Sequence, residues 1–408
     1  MSKDRVLGII QAGGTGGRMD VLTRETAKPA LPFAGVFQLV DFPLSTLAHS
    51  GISDVWLSVS FQGSSLEEQV ANGRPWDLDR TTGGLRLLMP QEGTGSTDEE
   101  GFAKGNADEL YRLRDQIRAA DPAYVLVMSA DHVYKFDFND ALATHRERNA
   151  DCTVVTSEVP LEEASDHAVV QVDEEGTVTD FAYKPDDPAG TTVATEIFVY
   201  RPSTLIETLE ELHRELAAET EEADSGLADF GDHLLPRLVE RQKVVAHRLE
   251  GYWRDLGEPH KYLNAHRDVL VDDQGVLDDR RWPILTRQPQ RVPARVLAGG
   301  RVEDSLLSPG CRVAGEVVRS VLGPGVVVKA GAVVRDSVVF ADTVVEEDAQ
   351  IDWAIVDRNC VVGSGSVTGA PATHVDDPDL VVLVGRESRV AAGATLDPGA
   401  RLEPGSTS

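Results

Sequence analysis

Cysteine is scarce in this chain: Cys152, Cys311 and Cys360 are all it has. Three scattered thiols make neither a disulfide framework nor a zinc site. They read as small buried residues in a reducing compartment. Basic residues are short too, with 39 Lys and Arg against 68 Asp and Glu and a net charge of −29. That field opposes general binding to nucleic acid or to an anionic membrane. A phosphate ligand would need a local basic cluster and a metal. No apolar run reaches the roughly 20 residues of a membrane helix. Residues 1–5 lead straight into an apolar strand and not into a signal peptide. The expectation is therefore a cytoplasmic protein without a membrane or nucleic-acid partner. Two familiar phosphate motifs are also missing, G-x-x-x-x-G-K-[ST] and G-x-G-x-x-G.

What the chain does have is 408 residues, 41% of them hydrophobic, enough for two or three globular domains. Its organising stretch is residues 6–33. Val6–Ile10 has the length and branching of a buried strand. Gly13-Gly14-Thr15-Gly16-Gly17-Arg18 follows, then Lys28-Pro29. Glycines after a strand bring backbone N–H groups close to a phosphate. Arg18 adds a guanidinium fork and Lys28 a point charge.

Further strands are expected at Val55–Ser60, Tyr124–Ser129, Cys152–Ser157 and Ile197–Tyr200, with helices over 106–119, 139–149 and 203–221. This alternation predicts a parallel sheet covered by helices, with ligands at the carboxyl ends of its strands. Asp131 stands at such an end, where a carboxylate suits Mg²⁺ beside phosphates, or else caps the next turn. Gln91 carries an amide able to read a base edge. Residues 92–104, polar and glycine-rich, read as a mobile loop.

Past a Pro- and Arg-containing connector the texture changes. Val321, Val327, Val333, Val339, Val345 and Ile351 recur every six residues, and Val384, Val390, Leu396 and Leu402 do so again. A six-residue apolar period predicts a parallel β-helix. The expected domains are 1–272, a linker over 273–292, and 293–408.

GGTGGRM, AKPALPF and Val40-Asp41-Phe42-Pro43-Leu44-Ser45 resemble the sugar-phosphate nucleotidyltransferases, and among them the ADP-glucose pyrophosphorylase family. The resemblance covers most of the chain. It implies an α/β, Rossmann-like nucleotidyltransferase domain followed by a left-handed β-helix, usually in a homotetramer. It implies joining ATP to glucose 1-phosphate, giving ADP-glucose for glycogen or α-glucan synthesis, with Mg²⁺ as cofactor. Arg18 and Lys28 would be catalytic. Ala12, Gly13, Gly14, Thr15, Gly16, Gln91 and Gly105 would contact the nucleotide. Ser129-Ala130-Asp131-His132 looks like the family's metal motif, and Tyr252-Trp253-Arg254-Asp255 like its closing one. Asp131 and Asp255 would then hold the metal, and Lys184 the sugar phosphate.

The sugar side departs from the family. Tyr183 stands where E-K-P has Glu, Ala194 where A-S-M-G has Ser, Ala168 where F-G-V has Gly, and Ala103 where an aromatic is expected. Gln38 replaces an Arg of the effector-responsive region in some members. These changes leave alternatives: another sugar 1-phosphate or nucleotide, or a catalytically impaired regulatory subunit paired with a paralogue. A β-helix acyltransferase would need a basic residue at the coil, and His374 is the one His beyond residue 266.

Overall fold

The computed structural model describes residues 5–14, 16–89, 103–216, 225–271, 275–371 and 377–408. Thr15, Gln91, His374 and most of the loop over 92–104 therefore lie outside the described residues. Two compact units result. One takes Met1–Gly14, Pro43–Ala130 and Tyr134–Trp253; the other takes Thr15–Phe42, Asp131–Val133 and Arg254–Ser408. The division crosses chain order, because the segment with Arg18 and Lys28 packs in the same unit as the C-terminal repeats.

Among the described residues, the first unit is built on a nine-stranded sheet. Its strands are β1 (Val6–Ala12), β2 (Asp54–Val59), β3 (Gly84–Leu88), β4 (Tyr124–Ser129), β5 (Cys152–Glu158), β6 (Ala168–Val172), β7 (Val178–Tyr183), β8 (Thr192–Tyr200) and β9 (Val244–Arg248). The order runs β7-β6-β8-β4-β1-β2-β3, with β5 pairing β8 and β9. Leu7, Ile9 and Ile10 are fully buried because β1 lies centrally, between β2 and β4. That explains an apolar run without alternation. Helix Asn106–Ala120 buries Ala107, Leu110, Leu113 and Ile117 on one face. It packs on helix Pro202–Leu216.

The parallel expectation holds for β1, β2, β3 and β4. It holds again for β5 and β9, but β8 runs antiparallel to β4, β5 and β6, and β6 to β7. For β6 and β7 the reason is local turn chemistry. Asp173 Oδ1 accepts from the N–H groups of Glu175 (2.9 Å) and Thr177 (2.8 Å), and Gly176 is left-handed at φ 78°. A turn that tight makes a hairpin, with no room for the crossover a parallel pair needs.

In the second unit the repeats form three parallel sheets of six strands each. This is the arrangement of the expected β-helix. Leu322 stacks on Val339, Val339 on Val356, and Val384 on Leu402. Val328, Val345, Val362 and Val390 form a second column. The strict six-residue reading needs a correction. Val321, Val327 and Val333 stand one place before the inward residues Leu322, Val328 and Val334. The coil steps by six at two corners and by five at the third, from Val334 to Val339 and from Ile351 to Val356. Arg319 and Asp336 at φ 44° and Trp353 at φ 53° stand at the short corner. A single period therefore slips off the inward column once per coil. All three cysteines are free and buried, two of them in this core.

Helix Pro259–Val271 docks on the coil, with Tyr262 6.3 Å from Phe340 and the Arg267 guanidinium 5.0 Å from the Trp353 ring. His266 Nε2 accepts from the Ala34 N–H at 3.1 Å. A Cβ at Gly35 would lie 2.3 Å from Ser308 Oγ. These contacts fix the segment that carries Arg18 and Lys28. Among the described residues no helix is long and apolar enough to cross a membrane.

Candidate active site

Gly16 adopts φ 67° and precedes a short 3₁₀ turn, Gly17–Thr23. Its carbonyl accepts from Met19 N and Thr23 Oγ1, both at 2.8 Å. A Cβ at Gly16 would press on Lys28 Cβ and Thr23 Cγ2, each at 3.1 Å. Conformation and space both require glycine here. The turn carries Arg18, and Lys28 follows in a second 3₁₀ turn, Lys28–Ala30.

Lys28 is only 8% exposed. Its Nζ lies 2.5 Å from Asp131 Oδ2 and 3.9 Å from Asp255 Oδ1. Burial opposes its charge, but the two carboxylates outweigh it and hold the ammonium above its ordinary value. The pairing of the short strands His132–Tyr134 and Trp253–Asp255 brings the two aspartates together. His132 Nε2 sits between them, 3.5 Å from Asp255 Oδ1 and 3.8 Å from Asp131 Oδ1. A Cβ at Gly257 would lie 3.4 Å from Arg18 Nη2 and from both Asp255 carboxylate oxygens. The second unit thus assembles Arg18, Lys28, Asp131, His132 and Asp255, residues drawn from widely separated stretches of chain.

Of the other residues read from the sequence, Ala12, Gly13, Gly14, Gly105, Ala168, Tyr183, Lys184 and Ala194 lie in the first unit. Ala12 ends β1, with Gly13 and Gly14 after it. A Cβ at Gly13 would meet Ser60 Oγ at 3.3 Å and Glu109 Oε2 at 3.6 Å. Gly105 precedes helix Asn106–Ala120, and a Cβ there would fall 2.3 Å from the Ala228 carbonyl. The helix start is pinned by Asn106 N to Asp229 Oδ1 (3.2 Å) and Phe230 N to Asn106 Oδ1 (2.5 Å). Gly105 thereby has a packing role independent of any ligand.

Ala168 pairs with Tyr183 across β6 and β7. Ala168 and Ala194 are both buried in the core of this unit. Neither offers a hydrogen-bonding side chain. The Tyr183 ring covers Gly231, where a Cβ would fall 2.2 Å from the ring. Its hydroxyl donates to Asp229 Oδ2 at 3.3 Å. Burial, then Asp229, Glu196 and Asp232, push the phenol well above its ordinary value. Lys184 adopts φ 46° and sets its Nζ 5.1 Å from the Tyr183 ring centre.

The sequence assigned no role to His132, Glu109 or Glu196, and showed Asp229 only within Asp229-Phe230-Gly231, which resembles a closing motif of the family. His132 was visible inside SADHVY, but only its neighbour there was singled out. Glu196, left-handed at φ 58° where β8 shifts register against β5, gave no signal a sequence could show. Glu109 is a buried carboxylate beneath the glycine turn. Its Oε2 accepts from Gln11 Nε2 at 2.8 Å, while Oε1 has no partner among the described residues. Burial pushes its carboxyl up to about 7 from an ordinary 4.5. The folded chain then binds this proton more tightly than the unfolded one, so stability falls as pH rises between those values. Glu109→Gln should be more stable than wild type near pH 8.5, by up to about 3 kcal/mol, and nearly equal to it near pH 4. Urea unfolding at the two pH values checks this; an equal difference at both contradicts it.

The chain belongs to the nucleotidyl transferase family, which it matches over residues 7–271. Residues 292–379 match the family described as GlmU-like, C-terminal hexapeptide. Among individual proteins, it is similar to the glucose-1-phosphate adenylyltransferase of Clostridium acetobutylicum, 36% identical over 80% of this chain and 84% of that protein. The glucose-1-phosphate adenylyltransferases of Bacillus cereus strain Q1 and Bacillus mycoides strain KBAB4 are each 34% identical, over 93% of this chain and 98% of theirs.

Proposed function

We propose that this protein transfers the adenylyl group of ATP to glucose 1-phosphate, giving ADP-glucose and pyrophosphate for α-glucan synthesis. The observation that carries this reading is the Lys28 ammonium set between Asp131 and Asp255 in a chain that matches such enzymes along nearly its whole length. The sugar phosphate oxygen attacks the α-phosphorus in line and pyrophosphate leaves. The reaction asks the protein mainly for position and charge. Arg18 and Lys28 neutralise the triphosphate, with the amides of Gly13, Gly14 and Gly16 as further donors. Lys184 holds the attacking phosphate.

Asp131 and Asp255 would hold Mg²⁺. Among the described residues no group of three or more His, Cys, Asp or Glu forms a metal cage. Two carboxylates around one cation nonetheless fit Mg²⁺, which takes few protein oxygens and shares substrate ones. When bound, the ion supplies positive charge at the phosphates. Pyrophosphate release, measured across NTPs and sugar 1-phosphates with and without Mg²⁺, tests the reading; no release with ATP and any sugar 1-phosphate would refute it. An impaired regulatory subunit is disfavoured because the charged set Arg18, Lys28, Asp131 and Asp255 is complete.

The repeats support a homotetramer, since a coil of flat parallel sheets offers faces for neighbouring subunits. Light scattering at micromolar concentration should give a tetrameric mass. Removing residues 292–408 should yield aggregated, inactive protein, because the segment with Arg18 and Lys28 packs in the same unit as the coil. A monomeric full-length chain would contradict the assembly.

A further inference from the structure

Residues 20–26 lie between the two phosphate-binding cations, Arg18 and Lys28. Their side chains are gripped by the last coils of the β-helix. Arg24 donates twice to Glu403, Nε to Oε2 at 3.3 Å and Nη2 to Oε1 at 3.2 Å. Arg401 Nε donates to Asp20 Oδ2 at 3.0 Å. Arg386 Nε lies 3.5 Å from Glu25 Oε2, and Arg358 Nη2 donates to Thr26 Oγ1 at 3.4 Å. Arg24 also donates to Asp20 Oδ1 at 3.2 Å, which joins two of these links into one network.

Both sides of this contact are of mixed charge and are matched in order. The segment presents Asp20, Arg24 and Glu25; the coil answers with Arg401, Glu403 and Arg386. The coil side is itself held, since Arg401 Nη1 donates to the carbonyls of Val381 (2.6 Å) and Gly399 (2.7 Å). Asp20 needs holding, because it departs from the surrounding turn at φ 54°, ψ −129°. A left-handed non-glycine residue costs energy and persists only where its surroundings fix it. Single exposed ion pairs add little stability. Several charges in complementary order do fix register, and register decides where Arg18 and Lys28 stand.

We propose that the terminal coils position Arg18 and Lys28 through Asp20, Arg24 and Glu25, so that the β-helix takes part in placing the triphosphate as well as in assembly. Asp20, Arg24, Glu25, Arg386, Arg401 and Glu403 are positioning residues and touch no substrate. The proposal rests on the reading that Arg18 and Lys28 hold the nucleotide. A shift of the segment then weakens grip on ATP and lowers turnover, while the grip on the sugar phosphate, assigned to Lys184, is spared.

The test uses the full-length chain with Arg24→Glu, Glu403→Arg and the double exchange. Each single change should raise the KM for ATP at least fivefold and lower kcat, with the KM for glucose 1-phosphate within twofold of wild type. Thermal midpoint and oligomeric mass should stay unchanged. The double exchange should recover at least half of the lost kcat/KM for ATP. Singles within twofold of wild type overturn the proposal. So does an equal rise in both KM values with a lowered thermal midpoint, which marks a merely structural role, and so does a double no better than the worse single. Lys28→Ala separates the two readings. If it keeps wild-type turnover, the site assignment fails and the proposal falls with it. If it is inactive while the Arg24 and Glu403 variants are silent, the tether alone is wrong.

Discussion

Lys28→Ala should lower kcat by roughly a thousandfold while the chain stays folded, and Asp131→Ala and Asp255→Ala should each do the same. Removing one preorganised charge from a transition-state site typically costs about a hundred- to a thousandfold. Lys28 sits at the upper end because it is buried and meets both carboxylates. Without it, Asp131 and Asp255 lose the cation they share, and in the proposed reaction the triphosphate loses one of its positive partners. Each aspartate variant leaves the ammonium with one of its two carboxylates, and would leave the proposed Mg²⁺ with one of its two proposed ligands. Steady-state pyrophosphate release, with circular dichroism to confirm folding, decides the matter. A variant within tenfold of wild type would remove that residue from the catalytic set. Chelation of Mg²⁺ should abolish turnover in the wild type as well.

The second large effect concerns the sugar. The site should hold glucose 1-phosphate roughly ten- to a hundredfold more weakly than a pocket with the Glu and Ser of the family pattern, since each missing hydrogen bond costs about 0.5–1.5 kcal/mol. Ala168 and Ala194 are buried in the core and offer no polar group. Tyr183 cannot stand in for the carboxylate, because its ring lies on Gly231 and its hydroxyl proton is given to Asp229. Tyr183→Glu would put a further carboxylate beside Asp229, Glu196 and Asp232, whose charges oppose another. Tyr183→Gln is therefore the better variant, and it should lower the KM for glucose 1-phosphate several-fold. A panel including glucosamine 1-phosphate should show an amino or acetamido sugar competing well. A submillimolar KM for glucose 1-phosphate in the wild type, with no better sugar, would refute this.

Sequence by itself determined five of the nine strands of the large sheet and the presence of the repeats, and it offered a charged set. Val6–Ile10 is legible because a central strand buries both faces, so its composition is uniform. The coil is legible because each turn repeats the same burial. Arg18, Lys28 and Asp131 stand in short motifs whose residue types suit a phosphate and its metal, while Asp255 was implied only by the family resemblance. Only the tertiary structure decided what those residues do to one another. Lys28 and Asp131 are far apart in the chain, and their 2.5 Å contact depends on a 3₁₀ turn and a strand end meeting. No local pattern encodes that meeting. The slip of the six-residue period at Arg319, Asp336 and Trp353 comes from a corner one residue shorter than the other two, which a fixed period in the sequence does not show. The placement of Asp20, Arg24 and Glu25 against Arg401, Glu403 and Arg386 was equally hidden. Charged residues on a surface look alike in sequence, and only folding chooses their partners.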